Sequence, residues 1–164
     1  MKKSNIYLAL VTVLILSFTN ANAQISKAEI RATGLTCSMC SNAINKQLKA
    51  MPEVANVETD LNTNTFTVTL KENTAINPIV FKESVEKAGF FIGSLVLTSK
   101  SNTLKNDNYI LIDDKNIDSE EVTFQVLDKG YVTDKEFKKL SKSLKKVATY
   151  AVNNEDDFHI KVLN

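Results

Sequence analysis

Tryptophan is absent from these 164 residues, histidine occurs once, and cysteine and proline occur twice each. Each shortage removes a class of function. A single histidine, His159, leaves almost no base for a Cys–His or Ser–His catalytic pair. Four glycines scattered at 34, 89, 93 and 130 build no phosphate-cradling loop. No catalytic constellation and no organic cofactor site emerges, and the chain reads as a non-enzyme. Two cysteines three positions apart, Cys37 and Cys40, cannot staple distant segments. They form a local device. Neither sign of charge is in excess, with 20 Lys and Arg against 19 Asp and Glu. That balance argues against nucleic acid or an anionic membrane surface as the main partner, since both call for a basic surplus.

What is present begins with an address. Met1-Lys2-Lys3 is a short basic start, Ile6 to Phe18 is apolar except for Thr12 and Ser17, and Ala21-Asn22-Ala23 puts small side chains where a signal peptidase reads. The apolar run is shorter than the roughly 20 residues a bilayer span requires. The rival reading is an uncleaved N-terminal anchor, against which no stop-transfer pattern follows. Cleavage of residues 1–23 leaves Gln24 at the N-terminus, without the cysteine that a lipid anchor needs. Removing Lys2 and Lys3 leaves 18 basic residues against 19 acidic ones. The expectation is a secreted or periplasmic protein, free in solution and off the membrane once processed.

Residues 24–98 alternate between two periodicities. Ala28, Ile30 and Ala32 alternate with polar residues as a half-buried strand does. Gly34 breaks it, and the cysteines follow in the loop. Ala43, Ile44, Leu48 and Met51 recur at spacings of a helix, which Pro52 ends. Val54 to Asp60 reads as a strand, Asn62-Thr63-Asn64 as a turn, and Phe66, Val68 and Leu70 between threonines as a second strand. Pro78 to Ala88 carries a second amphipathic helix closed by Gly89, and Ile92 to Leu97 a last strand. Strand, helix, strand, strand, helix, strand is the split, ferredoxin-like order of an α+β domain.

The polar stretch 99–108 reads as a linker. Beyond it, 109–164 forms a small α+β unit. Tyr109 to Ile112, then Val122, Phe124 and Val126, then Phe158, Ile160 and Val162 mark its strands. Thr133 with Glu136 is a capping box opening a helix whose apolar positions are Phe137, Leu140, Leu144 and Val147. One helix over three strands is small for independent stability, so this unit is expected to lean on the first domain.

The chemistry lies in Thr36-Cys37-Ser38-Met39-Cys40. Two thiols at this spacing, one in a loop and one opening a helix, reach one ion, and the positive end of the helix favours thiolate. Thiolate is the donor soft metals prefer. With two sulfurs, and no third cysteine, Asp or His beside them, Cu(I) outranks Zn(II), whose structural sites take four ligands. Hg(II) suits the same pair. A thiol–disulfide oxidoreductase remains the alternative in an oxidising compartment. Against it, no tryptophan precedes the pair and no proline lies inside it.

Gly34-Leu35-Thr36-Cys37-Ser38-Met39-Cys40 resembles the Gly-Met-Thr-Cys-x-x-Cys motif of the heavy-metal-associated domain family, which includes copper chaperones, modules of copper-transporting ATPases and periplasmic mercury-binding proteins. The resemblance runs from about Lys27 to Thr98 and includes Lys87-Ala88-Gly89-Phe90, similar to the family's Ala-Gly-Tyr or Ala-Gly-Phe. It implies that Cys37 and Cys40 are the metal ligands, that Phe90 shields them, and that Leu35 serves where the family usually has Met. It also implies a metal donor or acceptor protein as partner.

Other candidates have plainer readings. Met39 offers a thioether, though a residue there more often points to solvent. His159 falls opposite Phe158, Ile160 and Val162 in a strand pattern and is expected to be exposed. Lysines 135, 138, 139, 142, 145 and 146 form the outer face of the last helix. Such a face is solvated by default and an acidic partner's dock otherwise.

Overall fold

The computed structural model describes residues 25–36, 38–72, 74–105, 108–113, 115, 117, 119–152, 154 and 157–164. The expected signal peptide over 1–23 lies outside them. No helix among the described residues is long and apolar enough to cross a membrane.

The first domain follows the expected order: β1 (Ile25–Thr33), α1 (Ser38–Lys49), β2 (Val54–Asp60), β3 (Thr65–Leu70), α2 (Ile79–Lys87) and β4 (Phe91–Lys100). Alternation of β-branched and polar residues suits strands half-covered on one face. Phe66, Val68 and Leu70 are buried, while the β3 threonines between them are only partly covered or exposed. The helices bury Ile44 and Leu48 from α1 and Phe81 and Val85 from α2 in the same core. The fold is the ferredoxin-like α+β arrangement with additional C-terminal elements.

Those elements do not form a separate layer. After β4 come a 3-10 turn (Ser101–Lys105), β5 (Tyr109–Leu111), β6 (Glu121–Val126), α3 (Asp134–Ser143), α4 (Ala148–Val152) and β7 (Phe158–Val162). All seven strands make one sheet in the order β2-β3-β1-β4-β6-β7-β5, antiparallel except for β5 beside β7. The outer edge of β4 is thus used: Leu95 pairs with Val126, Leu97 with Phe124 and Ser99 with Val122. Val126 and Phe124 in turn pair with Ile160 and Val162, which carries one apolar face across both units.

The stretch expected to be a linker over 99–108 is different in kind. Ser99 and Lys100 complete β4, and Ser101 N–H donates to Glu120 O at 2.9 Å. Thr103 and Leu104 within the 3-10 turn are buried. Ser, Asn and Thr suggest a loop because their side chains compete with backbone bonding. Here a neighbouring strand supplies the partners, and tertiary pairing overrides local preference.

A second, smaller cluster holds Leu127, Val132 and Tyr150, with Phe137, Leu140, Leu144 and Val147 against it. Thr133 caps α3 in extended conformation, its Oγ1 accepting from Glu136 N–H at 3.3 Å. The apolar periodicity continues to Val147, but α3 stops at Ser143 and the short α4 follows, a helix the sequence pattern does not announce.

Candidate metal-binding loop

The loop lies between the end of β1 and the start of α1. Gly34 has φ of +84°, the left-handed region that a side chain resists, and this turns the chain off the sheet. Leu35 is partly buried and packs on the main core, in keeping with an apolar plug beneath the loop. Thr36, Ser38 and Met39 are exposed, Met39 at 81%. Cys40 is half-buried in the first turn of α1, and Ser41 behind it is buried. Cys37 lies outside the described residues, between the exposed Thr36 and Ser38.

The α1 N-terminus carries no acidic residue in its first turn, while Lys46 and Lys49 occupy its last. The helix dipole is therefore not offset at the cysteine end, where it favours anionic sulfur. Among the described residues no group of three or more His, Cys, Asp or Glu side chains is placed to hold a metal ion.

The second wall comes from the far end of α2. Gly89, at φ +86°, reverses the chain after the helix, and Phe90 N–H returns to Val85 O at 3.2 Å. Phe90 is half-buried against the core, and a Cβ placed on Gly34 would be 3.9 Å from its Cδ1. The ring therefore lies against the cysteine loop, where the resemblance places a shielding aromatic.

His159 is not where the strand pattern suggests. It is fully buried. Its Nδ1 and an Asp128 Oδ1 are 2.7 Å apart, and its backbone N–H donates to Asp128 Oδ2 at 2.6 Å. The Thr149 hydroxyl meets Nε2 at 2.9 Å, and the Tyr150 ring stands edge-on at 5.0 Å between centroids. Burial pushes the Asp128 carboxyl above its ordinary value, against the bonds from His159 that favour its charged form. The alternation correctly sets His159 opposite Ile160, but α4 covers that face. The sequence carries no signal for that cover, and the histidine is remote from the loop in role, tied into a structural network.

The six lysines from 135 to 146 are all exposed, but only Lys135, Lys138, Lys139 and Lys142 lie on α3. Lys145 and Lys146, expected on the same helix face, fall in the turn before α4 because the helix stops at Ser143.

Comparison with known proteins yields one family. Residues 29–91 match the heavy-metal-associated domain. Similar solved structures include the yeast copper transporter domain Ccc2a in apo and Cu(I)-loaded states, 34% identical over 40% of this chain and 88% of that one, with a TM-score of 0.36. The N-terminal domain of a potential copper-translocating P-type ATPase from Bacillus subtilis, Cu(I)-loaded, is 33% identical over 41% of this chain and 82% of that one, TM-score 0.36. The Atx1–Cu(I)–Ccc2a complex gives 34% identity over 40% and 88%, TM-score 0.35. No curated protein matches the chain.

Proposed function

Residues 29–91 belong to the heavy-metal-associated domain family, and from that premise we propose that the protein carries one Cu(I) ion on Cys37 and Cys40 and passes it to a partner protein. The observation that carries this reading is the setting of Cys40. It sits half-buried at the positive end of α1, with Phe90 against the loop on one side and exposed residues on the other. A soft ion as cargo needs two such sulfurs and an open approach. Transfer then proceeds by ligand exchange: an incoming thiolate adds to the ion and one of the two resident thiolates leaves, so charge and ligand number are restored.

The N-terminal pattern supports export to an oxidising space. An oxidised cysteine pair binds no metal, so in this reading a reductant or prior loading with metal protects the pair. Hg(II) is a competing cargo for the same donors.

Titration of the reduced protein with Cu(I) against a chromogenic chelator tests the reading. One tightly held Cu(I) per chain, lost in Cys37→Ser/Cys40→Ser, is the expected result. Unchanged affinity and stoichiometry in that variant would overturn it. An absence of binding combined with Cys37-dependent reduction of insulin disulfides would instead make the protein a thiol oxidoreductase.

A further inference from the structure

The C-terminal unit creates a groove that the first domain alone lacks. An open cavity of about 700 Å³ runs between α2, the start of β4 and the segment leading into α3. Its apolar floor contains Phe91, which is 67% exposed, with Ile92 and Val132 buried below. Lys82 from α2, and Lys129 and Lys135 from the C-terminal unit, line its walls.

The walls are held firmly. Val132 bridges to Ser94, and a Cβ on Gly93 would meet Thr33 Cγ2 at 2.5 Å and Thr133 Cγ2 at 3.5 Å. The tight contact there is with Thr33 of β1, while the segment itself, at Thr133, lies at ordinary van der Waals distance from β4. On the opposite side the Lys82 ammonium lies 5.9 Å from the Tyr131 ring centroid, which ties α2 to the same segment.

Charge extends beyond the groove. Its two acids are Glu86 and Asp134, and Asp134 occupies the first turn of α3, where the helix N-terminus offsets it. From there Lys138, Lys139 and Lys142 continue along the exposed side of α3, and no acidic residue follows Glu136 until Glu155. A lysine face alone is satisfied by water. A lysine face that begins in an apolar groove around an exposed phenylalanine is shaped for something longer and partly apolar.

We propose that this groove docks an extended acidic segment of a partner protein, one apolar side chain packing on Phe91 and the flanking carboxylates pairing with Lys129, Lys135 and the α3 lysines. The inference does not depend on the cargo metal. Its position does bear on the loop, because Thr33 in the groove wall directly precedes Gly34.

The probe is a short fluorescein-labelled peptide of Glu and Asp with one central Leu, titrated with the purified protein by fluorescence anisotropy. Lys129→Glu/Lys135→Glu is expected to weaken binding about ten-fold or more, and raising the salt to weaken it further. Phe91→Ser is expected to weaken the Leu peptide several-fold while leaving an all-acidic control unchanged. Should the charge reversals disturb the fold by circular dichroism, Lys129→Gln/Lys135→Gln supplies the same comparison. Three results would overturn the proposal: equal affinity in the lysine variants, equal loss on reversing only Lys145 and Lys146, or displacement of the peptide by millimolar inorganic phosphate.

Discussion

Asp128 and His159 are joined twice, Oδ1 to the ring Nδ1 at 2.7 Å and Oδ2 to the backbone N–H at 2.6 Å. Both residues are buried, so one carboxylate satisfies two donors from a single β7 residue while Thr149 meets the far ring nitrogen. Asp128→Ala orphans both donors in a place water does not reach. The expected loss is about 3 kcal/mol, the usual scale for breaking one side of a buried polar pair. Urea denaturation measures it, and Cu(I) stoichiometry should stay unchanged because the pair lies outside the cysteine loop.

Two glycines beside the loop should fail for different reasons. Gly34→Ala meets nothing closer than Phe90 Cδ1 at 3.9 Å, so its cost is the positive φ alone, about 1 kcal/mol. Gly93→Ala runs into Thr33 Cγ2 at 2.5 Å. Thr33→Ser removes that methyl group and should recover most of the loss at Gly93 but none of the loss at Gly34. A double-mutant cycle in thermal denaturation reads the difference.

Phe124 is fully buried, pairs with Leu97 of β4 and packs edge-on to Tyr109 at 5.5 Å. Phe124→Ala should cost about 3–5 kcal/mol. Because one apolar face runs through both units, near- and far-ultraviolet circular dichroism should still follow a single shared transition, displaced to lower denaturant. Two separated transitions would show that the units unfold independently.

Alkaline stability should depend on buried tyrosines. Burial pushes the Tyr109 hydroxyl from 10.0 up to about 12. Tyr150 moves the same way, through burial first and the charges of Asp128 and Glu136 next. Each group is raised in the folded protein, so its contribution is complete below pH 10 and disappears as the pH climbs toward the folded value. For Tyr109 that window is pH 10 to 12, with about 1.4 kcal/mol lost per pH unit. Tyr109→Phe should flatten the decline measured by denaturant midpoints across this range.

The candidate metal loop was legible without coordinates because its determinants are local. A glycine that turns the chain, two thiols three positions apart and a helix whose apolar residues recur at three and four all lie within eighteen residues, Gly34 to Met51. The strand β3 was equally plain, its alternation of Phe66, Val68 and Leu70 with threonine matching a sheet covered on one face, whereas β2 buries Val54 and Val57 across a register shift. Phe90 was legible only through resemblance: Gly34 and Phe90 are far apart in the chain, and the turn at Gly89 brings them together.

Sequence by itself therefore determined the ferredoxin-like order, the cysteine pair and the capping of α3, all of which rest on periodicity and on interactions a few residues long. Tertiary structure alone decided that the polar stretch after Thr98 completes a strand, that β6 takes the free edge of β4, and that His159 is buried under α4. Each of these depends on a partner distant in the chain: strand pairing satisfies backbone groups whatever the side-chain composition, and burial follows from what covers a face rather than from which face a residue occupies.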